Sequence, residues 1–143
     1  MQIRQLLRHK GPDVATIDGA QDVRAALALL AERRIGALVV SGDGQRIDGI
    51  LSERDIARGL HERGAGLLAD PVSSVMTAEV HTCAPREGVD ELAQLMTDRR
   101  VRHVPVVEDG VLVGIVSIGD VVKARLDELE QERKDLVDYI QTA

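Results

Sequence analysis

The sequence GILSERD at residues 49–55 returns as GIVSIGD at residues 114–120. Both follow the pattern Gly-apolar-apolar-Ser-x-x-Asp. Working outward, residues 14–40 align without gaps to residues 80–106, and seven of these 27 positions are identical. The chain therefore contains two copies of one supersecondary unit, each about 47 residues long.

Each copy predicts the element order β-α-β-β-α. Apolar residues recur at helical spacing from Val23 and from Val89, which predicts the first helix of each copy. Short apolar strands are predicted around these helices, at residues 14–17, 37–40, 80–83 and 104–107. Asp109-Gly110 is a strong hairpin signal, and a third strand and a second helix follow it. The second helices are predicted to begin at Ser52 and Ser117.

The repeat also predicts the boundaries. We expect a first repeat at residues 10–62, a linker at 63–79, a second repeat at 80–126 and a C-terminal helical extension at 127–143. The extension continues a helix with apolar residues at a spacing of three and four, with Arg133 interrupting them: Val122, Leu126, Leu129, Leu136 and Ile140. This spacing leaves two alternatives, packing against a partner chain or packing on its own domain with a solvated charged tail.

The composition excludes several classes of function. Hydrophobic residues make up 44% of the chain, yet Tyr139 is the sole aromatic residue, which leaves no stacking platform for single-stranded nucleic acid. A net charge of −6 gives no attraction to phosphate backbones or anionic membranes. The single cysteine, Cys83, allows neither an internal disulfide nor a cysteine-based zinc site. No apolar run approaches the length of a membrane span, and residues 1–10 lack the apolar segment of a secretory signal. We expect a soluble cytoplasmic protein with no nucleic-acid or membrane partner.

The Ser-x-x-Asp corner has two interpretations. A serine at a helix N-cap followed three residues later by an acidic residue is close to a capping box, which stabilises a helix end. The same corner presents a helix N-terminus to an anionic ligand, a carboxylate to a ribose diol, and a hydroxyl to ribose or phosphate. The corner recurs at matching places in two repeats, and this recurrence favours the second interpretation.

The chain resembles a tandem pair of CBS domains, known as a Bateman module, over residues 10–126. The resemblance depends on RRVRHVPVV at residues 99–107, on both Ser-x-x-Asp stretches and on VMT at residues 75–77 of the linker. It is nearest to the small stand-alone bacterial members. The resemblance implies an α+β fold in which two β-α-β-β-α repeats pack around a pseudo-twofold axis into one module. It also implies two equivalent clefts that bind AMP, ADP or ATP, or in some members S-adenosylmethionine or NADH.

The resemblance assigns candidate ligand-binding residues by position. Asp55 and Asp120 match ribose-binding aspartates, and Ser52 and Ser117 match the hydroxyls near ribose or phosphate. Other matching positions line the base pocket and the cleft along the first and second strands: Thr16, Ile17, Ala37 and Leu38 in the first repeat, and Thr82, Cys83, Val104 and Pro105 in the second.

The phosphate positions differ between the repeats. Arg102 and His103 match places where family members put phosphate contacts, whereas the first repeat has Gly36 and Ala37 there. Arg54 is the candidate that compensates in the first repeat. The sequence therefore predicts unequal phosphate environments in the two clefts.

Other candidate residues have simpler interpretations. The four histidines show no metal-ligand spacing, and His81 is interpreted as an exposed strand residue. Cys83 is expected to be a small buried residue. The arginine pairs at 33–34 and 99–100 are interpreted as favourable charge at helix C-termini.

The leading hypothesis is a regulatory module, with no enzymatic activity and no tightly bound cofactor or metal. It binds an adenosine-containing ligand and signals to an unidentified protein partner by altering the geometry of a homodimer. The alternative is a ligand-free dimerisation or scaffold module in which both corners serve only as helix caps. An enzyme is a third reading, but no nucleophile–base pair, P-loop or dinucleotide fingerprint supports it.

Overall fold

The computed structural model describes residues 1–142, and its helices and short strands follow the order α-β-α-β-β-α in the first half and α-β-β-α in the second. The α-helices are α1 (Ile3–Lys10), α2 (Val23–Arg33), α3 (Glu53–Arg63), α4 (Val89–Arg99) and α5 (Ile118–Thr142). The strands are β1 (Thr16–Ile17), β2 (Ala37–Val40), β3 (Gly49–Ser52), β4 (His103–Glu108) and β5 (Val111–Ser117). Two short 3-10 helices, Gly64–Ala69 and Val72–Ser74, lie between the repeats. The predicted α+β class is confirmed.

Each repeat forms its own small sheet. In the first, β2 pairs parallel with β1 and antiparallel with β3, with Leu38 opposite Leu51. In the second, β4 and β5 form an antiparallel hairpin. Asp109 and Gly110 at its tip both have positive φ, 52° and 76°, as a two-residue hairpin turn of this kind requires. The hairpin predicted from these two residues is confirmed.

The strand predicted at residues 80–83 is wrong, since Cys83 alone makes a parallel bridge to β4. In the first repeat, Val39 N–H donates to the carbonyl of Ala15 at 3.2 Å, and this bond extends the pairing of β1 with β2. The equivalent position in the second repeat is Pro105, which has no N–H to donate. The ladder therefore cannot extend back from Cys83.

The two repeats have separate hydrophobic cores. Residues that are fully buried in the first core include Val23, Leu38, Val40, Leu51, Leu67 and Val72. The last two belong to the linker predicted at 63–79, so the linker packs on the first repeat instead of spanning open solvent. The second core includes Leu92, Met96, Val104, Val106 and Val116.

Helix α1 belongs to the core of the second repeat, although it comes first in the chain. Ile3 is fully buried there and Leu6 is nearly so. Backbone bonds hold the start of the helix in place: Ile3 N–H donates to the carbonyl of Glu87, and Val89 N–H donates to the carbonyl of Met1, both at 2.9 Å. The N-terminal segment therefore completes the repeat that is farther from it in sequence.

Segments outside the repeats pack against β3 and β5, the strands that contain Gly49 and Gly114. A Cβ at Gly49 would lie 2.6 Å from the sulfur of Met76 and 2.9 Å from the carbonyl oxygen of Thr77. A Cβ at Gly114 would lie 2.7 Å from Leu7 of α1. These repeated glycines therefore allow the linker end and α1 to approach the two third strands in matching ways.

We expect Gly49→Ala to lower the free energy of unfolding by about 1–3 kcal/mol, because the added methyl group meets a backbone carbonyl that cannot move aside cheaply. Gly42→Ala is the matched control, since a Cβ there meets nothing within 4 Å. Urea unfolding followed by circular dichroism measures both. Equal midpoints for the two variants would contradict this account of the close approach.

Candidate functional site

Two clefts lie between the repeats, and each combines parts of both. The first, which we name the Asp55 cleft, encloses about 580 Å³ and joins the Ser52–Asp55 corner to the end of α4 and the start of β4. The second, the Asp120 cleft, encloses about 450 Å³ and joins the Ser117–Asp120 corner to the end of α2 and the start of β2. The arrangement is reciprocal, as a pseudo-twofold relation between the repeats requires.

The Asp55 corner is a capping box. Asp55 N–H donates to Ser52 Oγ at 3.2 Å, and Asp55 Oδ2 accepts from the N–H and the hydroxyl of Ser52 at 2.9 and 3.0 Å. Asp55 Oδ1 accepts from the hydroxyl of Thr77 at 3.1 Å. The predicted capping role is therefore confirmed here, and the donors on the carboxylate are all uncharged.

The Asp120 corner has the same cap but a charged partner. Ser117 N–H donates to Asp120 Oδ2 at 2.9 Å, and Asp120 N–H donates to Ser117 Oγ at 3.1 Å. Lys10 Nζ lies 2.6 Å from the same Oδ2. Burial by itself raises the pKa of the Asp120 carboxyl, but the Lys10 ammonium and the bonds from Ser117 outweigh it and hold that pKa below its ordinary value.

Arginine pairs stand at equivalent places on the walls of the two clefts. Arg99 and Arg100 line the Asp55 cleft, and Arg33 and Arg34 line the Asp120 cleft. Arg34 and Arg100 end their helices in the left-handed conformation, both with φ of 54°. Sequence reasoning assigned these pairs to helix ends only and missed the clefts. The signal was present, since both pairs are among the identical positions of the repeat.

We expect Arg100→Gly to be more stable than Arg100→Ala by about 1 kcal/mol, because a Cβ is strained in the left-handed conformation and glycine has none. Both variants remove the same charge, so the difference isolates the backbone. Urea unfolding provides the comparison. An alanine variant as stable as the glycine variant would show that the left-handed turn carries no such strain.

His103 lies between the two clefts and lines both. Its ring packs against Gly36, where a Cβ would come within 3.3 Å of two ring atoms. Burial of the ring and the nearby Lys10 ammonium lower the pKa of His103, so the imidazole is neutral near pH 7. His103 can therefore offer a neutral hydrogen bond at this position, but not a positive charge.

The candidate residues divide among several places. Five of them line the Asp55 cleft: Ser52, Arg54, Asp55, Arg102 and His103. Four line the Asp120 cleft: Ala37, His103, Ser117 and Asp120. Arg102 thus faces the corner of the opposite repeat. Arg54 lies in the same cleft as Arg102. It therefore adds positive charge to the Asp55 cleft and does not supply a phosphate contact in the Asp120 cleft.

The remaining candidates lie outside the two clefts. Thr82 and Cys83 line a separate depression of about 350 Å³. Burial raises the pKa of the Cys83 thiol to about 12, as expected for a small buried residue. The side chains of Ile17, Leu38 and Val104 pack into the hydrophobic cores. Thr16 is half-buried and Pro105 is buried, and neither contributes to a cleft wall.

Two absences concern residues 1–142, the part of the chain that the structure describes. No group of three or more histidine, cysteine, aspartate or glutamate side chains is placed to hold a metal ion in that range. Over the same residues, no helix combines the length and apolar character needed to cross a membrane.

Both repeats match the CBS domain family model, over residues 4–62 and 72–127. The chain belongs to the CBS domain family. The sequence resemblance to a tandem CBS pair is thereby confirmed. The first match begins at residue 4, so it includes most of α1.

Solved CBS structures have the same fold as this CBS pair. A CBS-domain containing protein from Agrobacterium tumefaciens is 42% identical, with a TM-score of 0.84, and the match covers 87% of this chain and 99% of that one. A CBS domain protein from Pyrobaculum aerophilum, solved in complex with AMP, is 29% identical with a TM-score of 0.75. That match covers 84% of this chain and 89% of the other.

A plant relative is longer than this CBS pair. The mitochondrial CBS domain-containing protein CBSX3 of Arabidopsis thaliana is 40% identical over 81% of this chain. This chain spans 58% of the length of that protein.

Proposed function

We propose that this CBS pair is a regulatory module that binds an adenosine-containing ligand between its repeats. AMP, ADP and ATP are the favoured ligands, and NADH and S-adenosylmethionine are the alternatives. One observation carries the proposal: the Asp55 cleft joins a capped carboxylate and a hydroxyl of one repeat to cationic side chains of the other. The complex of the Pyrobaculum aerophilum relative with AMP supports this class of ligand.

Each part of a nucleotide has a matching group in the Asp55 cleft. The Asp55 carboxylate can accept hydrogen bonds from both hydroxyls of a ribose. Five arginines line the cleft against three carboxylates, which favours an anionic phosphate: Arg54, Arg58, Arg99, Arg100 and Arg102 against Glu53, Asp55 and Glu79. Ile50, Val80 and Val101 supply aliphatic surface for the base.

Calorimetric titration with AMP, ATP, NADH and S-adenosylmethionine tests the proposal. At a ligand concentration of about 100 times Kd, binding adds about 2.7 kcal/mol to the stability of the folded state, so a thermal-shift screen should agree with it. Absence of heat and of any shift with all four ligands at millimolar concentration would overturn the nucleotide site.

The ligand-free scaffold is the second candidate, and the capping boxes at both corners favour it, because they give each aspartate a structural role. It predicts that aspartate variants lower the melting temperature while no nucleotide raises it. The thermal-shift screen therefore separates the two candidates.

We also propose that the module forms a homodimer through α5, and that ligand binding alters the geometry of this dimer toward a protein partner. In α5 only Val121 and Ala124 are buried, so the apolar packing of this helix on its own domain ends there. Five apolar residues beyond that point are between 49 and 71% exposed: Leu126, Leu129, Leu136, Tyr139 and Ile140. Their spacing matches a helix-pairing seam, which a second copy of α5 can cover.

Light scattering tests the dimer. We expect twice the mass of the chain for the native sequence and a shift toward monomer for Leu136→Glu, which puts a charge in the seam. Gln131→Glu is the control, because residue 131 lies on the opposite side of α5 from the seam. A monomeric native protein would contradict the proposal, as would equal effects of the two variants.

The cellular location and the absence of catalysis remain predictions. We expect a cytoplasmic location for this protein, whereas the name of its relative CBSX3 describes that protein as mitochondrial. Incubation with ATP tests for turnover, and we expect none above background.

A further inference from the structure

The two aspartates that we propose to bind ribose accept hydrogen bonds from different neighbouring side chains. α1 and the end of the linker approach the two corners in matching ways, as the contacts of Gly114 and Gly49 show. The linker places the hydroxyl of Thr77 on Asp55, at 3.1 Å. α1 places the ammonium of Lys10 on Asp120, at 2.6 Å. Equivalent carboxylates are therefore held by a neutral group in one cleft and by a cation in the other.

The Lys10 contact is short and partly shielded from water. Lys10 Nζ also donates to the carbonyl of Ile115 at 2.7 Å, so two acceptors hold the ammonium at once. The side chains of Lys10 and Asp120 are only 31% and 25% exposed. Charge-assisted bonds of this kind are about twice as strong as neutral ones, and partial burial protects them from screening by salt.

The position of α1 places Lys10 beside Asp120. Lys10 is the last residue of α1, and Ile3 and Leu6 anchor that helix in the second core. Its side chain also lines the Asp120 cleft, so it takes up space there. A ribose that approached Asp120 would have to displace an ammonium and leave it without its carboxylate partner, which is costly for a partly buried charge. At Asp55 a ribose hydroxyl needs only to replace the rotatable hydroxyl of Thr77.

We infer that Lys10 occupies the ribose position of the Asp120 cleft, so that each chain binds one adenosine ligand, in the Asp55 cleft. This inference rests on the proposed nucleotide function and goes beyond it, because it assigns the number of sites and names the residue that closes the second. The Lys10 ammonium takes the place beside Asp120 that a ribose hydroxyl of the ligand would occupy.

Titration calorimetry with AMP tests the inference by stoichiometry. The native protein should bind one AMP per chain, and Asp55→Ala should weaken that binding about 5- to 150-fold. Lys10→Met keeps the aliphatic stem but removes the ammonium, and it should bind two AMP per chain. Arg8→Met is the matched control, because it removes a cation from the same last turn of α1, and it should still bind one.

The double variants locate the second site. Lys10→Met with Asp55→Ala should bind one AMP tightly through Asp120, and adding Asp120→Ala should weaken that remaining site about 5- to 150-fold. Circular dichroism and melting temperature establish that each variant is folded. If Lys10→Met does not fold, Lys10→Gln replaces it, since it also removes the charge.

The outcomes separate this inference from the proposed function. Two AMP per native chain, or one AMP per chain in the folded Lys10 variants, would overturn the closure of the Asp120 cleft and leave the nucleotide function intact. No AMP on either the native protein or the Lys10 variants would overturn both.

Discussion

Ile3→Ala is expected to lower the free energy of unfolding by about 2–5 kcal/mol, the range for truncating a buried isoleucine. Ile3 is 0% exposed and packs in the core of the second repeat, so its truncation leaves a cavity there. The effect is large for a residue so near the start of a chain, where side chains are often poorly ordered. Urea unfolding with fluorescence of an added dye or circular dichroism measures it.

Arg8→Ala is the control for Ile3→Ala, because Arg8 lies on the exposed side of the same helix. It should change the free energy of unfolding by no more than about 0.5 kcal/mol. Similar, small effects of the two substitutions would mean that α1 does not complete the second core in solution.

Asp55→Ala is expected to weaken AMP binding by about 5- to 150-fold, which corresponds to the loss of about 1–3 kcal/mol of hydrogen bonds to a charged group. The carboxylate has two oxygens, so it can accept hydrogen bonds from two ribose hydroxyls together. Calorimetric titration at a temperature well below melting measures the affinity of the folded protein alone.

The control for Asp55→Ala must reproduce its structural cost, because the substitution also removes the carboxylate half of the capping box, a loss comparable to that of a helix cap at about 1 kcal/mol, although the N–H of residue 55 can still donate to Ser52 Oγ. Asp22→Ala does so. Asp22 caps α2 by accepting from Ala25 N–H at 2.8 Å, and it lies outside both clefts. We expect Asp22→Ala to lower stability to a similar extent and to leave AMP affinity unchanged. Equal affinities in both variants would move the ribose contact away from the start of α3.

Sequence reasoning predicted most of the local structure. Helical spacing located α2 and α4, Asp109-Gly110 located the hairpin, and Ser52 and Ser117 located the caps of the second helices. Each of these depends on residues a few positions apart, so a short window of sequence contains the cause. Prediction from a short window fails for the strand expected at 80–83, which does not form. The cause lies on another strand, where Pro105 has no N–H to extend the pairing.

Sequence reasoning predicted the candidate site less completely. It identified Asp55 and Asp120, but it assigned Arg102 a phosphate contact without placing it in either cleft, whereas Arg102 lines the Asp55 cleft. It also left the arginine pairs at 33–34 and 99–100 at helix ends. The side chains that share a cleft are determined by how one repeat packs against the other. A pattern of residues a few positions apart does not contain that information.

The sequence by itself determined that two copies of one unit form this protein, and where each copy has its helices, hairpin and capped corner. It did so because spacing, turn residues and caps act over a few residues. Only the tertiary structure decided that α1 completes the second repeat and that Lys10 meets Asp120, 110 positions away. The packing of this distant helix adds a further difference between the two clefts, because Asp120 accepts from an ammonium where Asp55 accepts from a hydroxyl.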